Sequence, residues 1–209
     1  MLIPLESITV FVAAAIALSL APGPDNLFVI IQSALYGPRA GILVTLGLCT
    51  GLLFHTTAVT LGVATIFQSS ELAFKLLKTV GAIYLMYLAW QAFRAGATIV
   101  EGTRAPELNL GSLYGRGIIM NVTNPKVALF FLAFLPQFAD PKHGSVTTQL
   151  LVYGALFIAV AFLVFGTIAV TSGTLGEWLK RSAKVQIIMN RVAGAVLLGL
   201  ALTLIASGR

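Results

Sequence analysis

The stretch Leu18-Ser19-Leu20-Ala21-Pro22-Gly23-Pro24-Asp25-Asn26-Leu27-Phe28 decides how this chain is read. An apolar run starting near Leu5 reaches Ala21, meets two prolines, a glycine, a carboxylate and an amide, and then resumes through Leu27 to Tyr36. Proline carries no backbone N–H and glycine tolerates dihedrals closed to other residues, so a helical ladder cannot pass unbroken through Pro22, Gly23 and Pro24. The two flanks together are long enough to cross a bilayer, which takes about 20 apolar residues. Irregular backbone at membrane depth is tolerated only where protein or water satisfies it. A broken first span beside a polar cavity is expected.

The rest of the composition agrees with lipid as the solvent. The 209 residues are 58% hydrophobic and 10% charged, against about 25% charged in soluble domains. The net charge of +6 is spread over the connections and forms no dense stripe, which argues against a nucleic-acid partner. The single cysteine, Cys49, excludes a disulfide framework and any multi-thiolate metal site. The N-terminal apolar run lacks a basic leader and is taken as a retained first span rather than a cleaved signal.

Five more spans follow. They are expected over about Ala40–Phe67, Leu72–Phe93, Tyr114–Phe138, Val146–Leu175 and Val192–Ser207. The fold class is therefore an all-α, polytopic membrane protein of six helices, a single transmembrane domain over 1–209. The polar stretch 94–113 divides it into 1–93 and 114–209. The connections after spans one, three and five hold eight basic residues: Arg39; Arg94, Arg104 and Arg116; and Lys180, Arg181, Lys184 and Arg191. The other side holds four: Lys75, Lys78, Lys142 and Arg209. By the positive-inside rule the 94–113 loop is cytoplasmic and both termini lie outside.

The two halves resemble each other weakly. Pro24-Asp25 corresponds to Pro125-Lys126, and both prolines break the first span of their half beside a charge. Lys78-Thr79-Val80-Gly81-Ala82-Ile83 also matches Arg191-Val192-Ala193-Gly194-Ala195-Val196. Three spans per half would leave the second copy inverted, and inverted repeats with broken helices at matching places point to a transporter binding site. Chance similarity between apolar sequences is the competing explanation.

Asp25 is the most informative residue. A carboxylate in the bilayer costs a few kcal/mol or more, so it faces a cavity and has a partner or a role; it also suits the start of the resumed helix, as Asp-Asn is a good cap pair. Both readings hold together. Lys126 sits near the middle of a 25-residue span, deep for snorkelling. An Asp25–Lys126 ion pair, or a shared water-filled site, is the simplest arrangement. Asn26, Asn121 and Asn124 bring amide donors and acceptors, with Asn124 equally suited to satisfying backbone freed by Pro125. His55 suits either a proton relay or a bond to a neighbouring helix, and Gln32 and Ser33 follow the break closely enough to line a cavity. Tyr84, Tyr87 and Trp90 fit an interfacial anchor best, and the glycines Gly41, Gly47, Gly51, Gly81, Gly194 and Gly199 fit close helix packing. No H-E-x-x-H, G-x-S-x-G or Walker loop occurs, so neither an enzyme nor a primary pump is indicated.

Ala21-Pro22-Gly23-Pro24-Asp25, together with Asn124-Pro125-Lys126 leading into Val127-Ala128-Leu129-Phe130-Phe131-Leu132 and ending Pro136-Gln137-Phe138, resembles the LysE/RhtB family of bacterial amino-acid exporters. The likeness covers essentially the whole chain, and Gly81-Ala82-Ile83-Tyr84-Leu85 adds to it. It implies export of amino acids or close derivatives across the bacterial inner membrane in exchange for protons, with no cofactor and no metal. The partners implied are a small amino-acid substrate, protons and the lipid bilayer; a homo-oligomer is left open. Asp25 would take the substrate ammonium or the coupling proton, and Lys126 or a freed helix N-terminus the carboxylate. The competing readings are a metal or other ion exporter and a membrane-embedded enzyme or assembly factor. One cysteine and two histidines argue against soft metals.

Overall fold

Pro24 and Pro125 each stand at the first position of a helix, where the missing N–H costs nothing because that donor has no intrahelical partner. The computed structural model describes residues 3–21, 23–69, 71–96, 110–171 and 183–206. Outside them lie Pro22, expected as a break residue, most of the 94–113 loop, and Lys180, Arg181 and Arg209.

In chain order the helices are α1 (Leu5–Leu20), α2 (Pro24–Tyr36), α3 (Pro38–Ser69), α4 (Glu71–Arg94), α5 (Leu110–Val122) and α6 (Pro125–Leu129). A turn of π-helix (Phe130–Phe134) and two 3₁₀ turns (Leu135–Phe138 and Pro141–His143) follow. The last two helices are α7 (Val146–Thr171) and α8 (Ala183–Ala206). No strand occurs among the described residues.

α3 over Pro38–Gly62 and α7 are each long and apolar enough to cross a membrane. The bent pairs add one candidate span each: α1 with α2 at 61°, and α5 with the run Pro125–Phe138 at 48°. α4 carries Glu71, Lys75, Lys78 and Arg94, and the apolar part of α8 is the shorter Asn190–Ala206. The described residues therefore hold two to four candidate spans.

Two boundaries differ from the sequence reading. α8 begins at Ala183, so Lys184 and Arg191 lie on helix where a basic connection was expected. Lys and Arg are good helix formers, and a charge near a span end does not break the backbone ladder. α5 likewise begins at Leu110, within the polar stretch taken as loop.

The halves interlock. α5 of the second half packs on α3 of the first, and α1 of the first on α7 of the second, while α3 packs directly on α7. α4 lies along α8 and against the π turn. Close approach needs small residues: a Cβ on Gly47 would meet the Tyr114 carbonyl and the Gly117 Cα of α5. Ala14, Ala15, Ala161, Ala169 and Ala201 fill other buried positions. Large side chains such as Leu53, Phe54, Leu61, Leu163 and Leu202 face outward. Small residues where helices approach closely, with large apolar residues also turned outward, is the pattern of helices that pack in lipid. An aromatic cluster of Phe11, Phe130, Phe134, Phe138, Tyr153 and Phe157, with centroid spacings from 4.7 to 6.5 Å, ties α1, the π turn and α7 together.

Candidate functional site

Each helix break leaves carbonyls without their i+4 donor, and the polar side chains converge on those carbonyls. The last four carbonyls of a helix have no partner within it. At the end of α1, Leu18 O would require an N–H from residue 22, which is proline. Lys126 Nζ donates to Leu18 O at 3.2 Å and to Ala21 O at 3.0 Å. Asn26 Nδ2 donates to Ser19 O at 2.6 Å. A cation at a helix C-terminus also meets the negative end of the helix dipole, so Lys126 is electrostatically well placed although it is buried. Gly23 makes room for it: a Cβ there would lie 3.1 Å from Lys126 Nζ.

The break between α5 and α6 is closed in the same manner. Pro125 has no N–H for Asn121 O, which accepts instead from Asn124 N at 3.0 Å and from His55 Nε2 of α3 at 3.1 Å. A carbonyl only accepts, so the imidazole proton on Nε2 makes this bond. Asn124 caps α6, its Oδ1 accepting from Lys126 N at 3.0 Å. The amide nitrogens turn toward Asp25: Asn124 Nδ2 donates to Oδ1 at 2.9 Å and Asn121 Nδ2 to Oδ2 at 3.2 Å. A carboxylate accepts only, which sets the orientation of both amides. Asp25 lies in the first turn of α2, at the positive end of its dipole.

Of the two arrangements expected for Asp25 and Lys126, an ion pair or a shared water-filled site, the direct ion pair is not formed. The carboxylate is held by two amides of the second half and the ammonium by two carbonyls of the first. Desolvated charges need their hydrogen-bonding capacity filled as well as an opposite charge nearby, and amides and carbonyls supply that here. Asp25, Asn121, Asn124, Lys126 and His55 thus form one buried network, and the buried Asn26, bonded to Ser19 O, stands next to Asp25 in the chain. Gln32 is half-buried and is not joined to it by a hydrogen bond among the described residues; Ser33 Oγ turns to Val29 O at 2.7 Å. Tyr87 and Trp90 face outward on α4, consistent in position with an interfacial anchor.

Asn26 Oδ1, Asn121 Oδ1 and Ser19 Oγ are buried with no hydrogen-bond partner among the described residues. The two amide oxygens only accept, and Asn121 also bonds the Asp25 carboxylate, so acceptors of this kind suit a ligand that brings N–H groups. The roles of the Leu18, Ser19 and Ala21 carbonyls escape a reading of side chains, although counting four residues back from Pro22 and Pro125 finds Leu18 and Asn121. Gly51 was assigned only to packing. A Cβ there would stand 2.7 Å from Asn121 Cβ and Oδ1, so it shapes the network.

Next to Lys126 lies an open pocket of about 310 Å³, lined by Ala21, Leu88, Trp90, Gln91, Arg94 and Leu197 among others. Among the described residues no three His, Cys, Asp or Glu side chains converge as metal ligands would.

Comparison with known proteins gives this network a context. The family model of the LysE type translocator matches residues 16–208. The homoserine/homoserine lactone efflux protein of Salmonella typhimurium is 34% identical over 92% of each chain. A membrane protein of Vibrio cholerae is 33% identical over 90% of this chain and 91% of its own. One from Bacillus subtilis is 28% identical over 93% of this chain and 96% of its own. No solved structure matches. A multi-pass helical membrane protein with two interlocked, proline-broken helix pairs, matched over nearly its whole length, this chain belongs to the LysE type translocator family.

Proposed function

We propose that the protein is a secondary transporter that exports amino acids or close derivatives from the cytoplasm in exchange for protons. It works as a carrier and not as an enzyme. The observation that carries this reading is the pair of buried opposite charges, Asp25 and Lys126, one on each helix break, each held by the other half of the chain. The name of the Salmonella relatives, homoserine/homoserine lactone efflux protein, supports amino-acid-type cargo.

The whole chain forms one domain of six spans in two inverted halves, 1–93 and 114–209, in the bacterial inner membrane with both termini outside. Support comes from the matched use of Pro24 and Pro125 as helix starts and from the exchange by which α1 packs on α7 and α5 on α3. α4 and α8 supply the remaining spans. Asp25, with Asn26 Oδ1 and Asn121 Oδ1, takes the substrate ammonium or, in its absence, the coupling proton. Lys126 exchanges the α1 carbonyls for the substrate carboxylate. Both ligand groups then bridge the halves, and the rocking of one half on the other gives alternating access.

Counterflow in proteoliposomes with labelled L-homoserine, L-threonine, L-leucine and L-lysine, at two pH gradients, reports substrate and coupling together. Export should accelerate with a proton gradient directed against it. Asp25→Asn should abolish export while the protein remains in the membrane at wild-type level; undiminished export by that variant would refute the assignment.

A further inference from the structure

Among the described residues, no carboxylate lines the pocket beside Lys126. Its charged lining residues among those described are both cations, the buried Lys126 and the exposed Arg94, and Gln91, one turn before Arg94 at the end of α4, adds an amide. Arg94 is held by the indole of Trp90, its Cζ 4.6 Å from the ring centroid. Stacking occupies the face of a guanidinium and leaves its edge donors for a planar anion, which a carboxylate matches with two parallel hydrogen bonds. The end of α4 does not call on Arg94 as a cap, because Asn190 Nδ2 of α8 donates to Ala95 O at 3.2 Å and to Gly96 O at 3.4 Å. The pocket volume sits at the lower end of the range for small-molecule clefts, about 300–1,000 Å³. Ala21, whose carbonyl holds Lys126, also lines it.

We propose that this pocket is the entry vestibule of the transporter, where Arg94, stacked on Trp90, binds the α-carboxylate of an arriving amino acid before Lys126 receives it. The inference rests on the amino-acid export reading and adds to it a second carboxylate site made by residues outside the helix breaks. With the 94–113 loop on the cytoplasmic side, the vestibule opens toward the compartment that supplies the cargo. It also makes a chemical distinction: a carboxylate-bearing amino acid uses Arg94, whereas a carboxamide or a lactone, which has no free carboxylate, does not.

The test has two independent readings. In counterflow with the four labelled amino acids, Arg94→Gln should raise the half-saturation concentration of the transported one about tenfold, the size expected for loss of a charge-assisted bond. The maximal rate and the weaker competition by the matching carboxamide should stay within about twofold, and Arg94→Lys should fall between, keeping charge without the planar fork. In detergent, with the other tryptophan removed by Trp178→Phe, each amino acid that binds should change Trp90 fluorescence saturably, and its carboxamide should not; Arg94→Gln should remove the change without lowering the unfolding temperature. Transport by the wild-type protein with neither reading altered by Arg94→Gln overturns the vestibule alone. A fluorescence response without transport of any of the four keeps the binding site and overturns the exporter. Absence of both overturns both.

Discussion

Lys126 is bonded as a helix cap and charged as a ligand site, and the two descriptions concern the same three protons. Its ammonium satisfies Leu18 O and Ala21 O, so any carboxylate that recruits it must leave the end of α1 unsatisfied or bring water to it. Under the proposed function these resting bonds oppose substrate binding, which would let the end of α1 respond to cargo. Lys126→Met should lower stability by about 2–4 kcal/mol, because it orphans buried carbonyls and leaves the Asp25 charge uncompensated. The double variant Asp25→Asn/Lys126→Met should recover part of that loss, since neutralising the carboxylate removes one of the two penalties. Thermal unfolding of the four proteins in detergent measures the coupling; strictly additive losses would show that the two charges do not sense each other.

At the scale of the element, proline does two jobs at each break. One starts the outgoing helix at no cost (Pro24, Pro125) and one withholds a donor from the incoming helix (Pro22, and Pro125 again), which creates the carbonyl that a polar side chain then binds. Asn121 O and His55 form such a pair. Replacing His55 with Ala should cost about 0.5–1.5 kcal/mol, the net worth of one hydrogen bond to a carbonyl that Asn124 N still serves. In a Pro125→Ala background the restored N–H of residue 125 can reach Asn121 O, so the same His55→Ala change should cost much less. Unfolding measurements on that cycle check it: an equal cost in both backgrounds would mean that His55 is retained for something other than the carbonyl that Pro125 deprives of its helical donor. The π turn at Phe130–Phe134 widens the backbone directly after α6, where Ala133 packs against Gly81 of α4. π turns often mark functional segments inside helices, and here one joins the polar network to the aromatic core.

At the scale of the whole molecule, the charge count predicts an orientation. In a Cys49→Ala protein, a cysteine introduced by Ser145→Cys should react with a membrane-impermeant maleimide in intact cells. One introduced by Thr103→Cys should react only after permeabilisation. The opposite pattern would invert the topology and move the vestibule to the outer face. Large apolar side chains on the outside of α3, α7 and α8 are numerous enough that water would not tolerate them as a surface. The interlocked packing of α1 on α7 and α5 on α3 means that neither half has a complete interior without the other.

Much of this was legible in the chain. Apolar runs, prolines and charge placement mark the helices and their breaks, because backbone donors and desolvation are local properties. Asp25, Asn121, Asn124 and Lys126 stand out for the same reason: a polar group in an apolar run has a large solvation cost wherever the run folds. The starts of α5 and α8 were less visible, since Leu110 and Ala183 lie in polar stretches where helix propensity is not opposed by any break. Partnership was not legible at all. Whether Asp25 would meet Lys126 or two amides, whether His55 would serve Asn121 O, and whether Arg94 would share a pocket with Lys126 depend on how α1, α3, α4 and α5 cross. Sequence by itself determined which groups are too costly to leave unsatisfied in lipid; only tertiary structure decided which of them satisfy one another, because the donors and acceptors lie on different helices about a hundred residues apart.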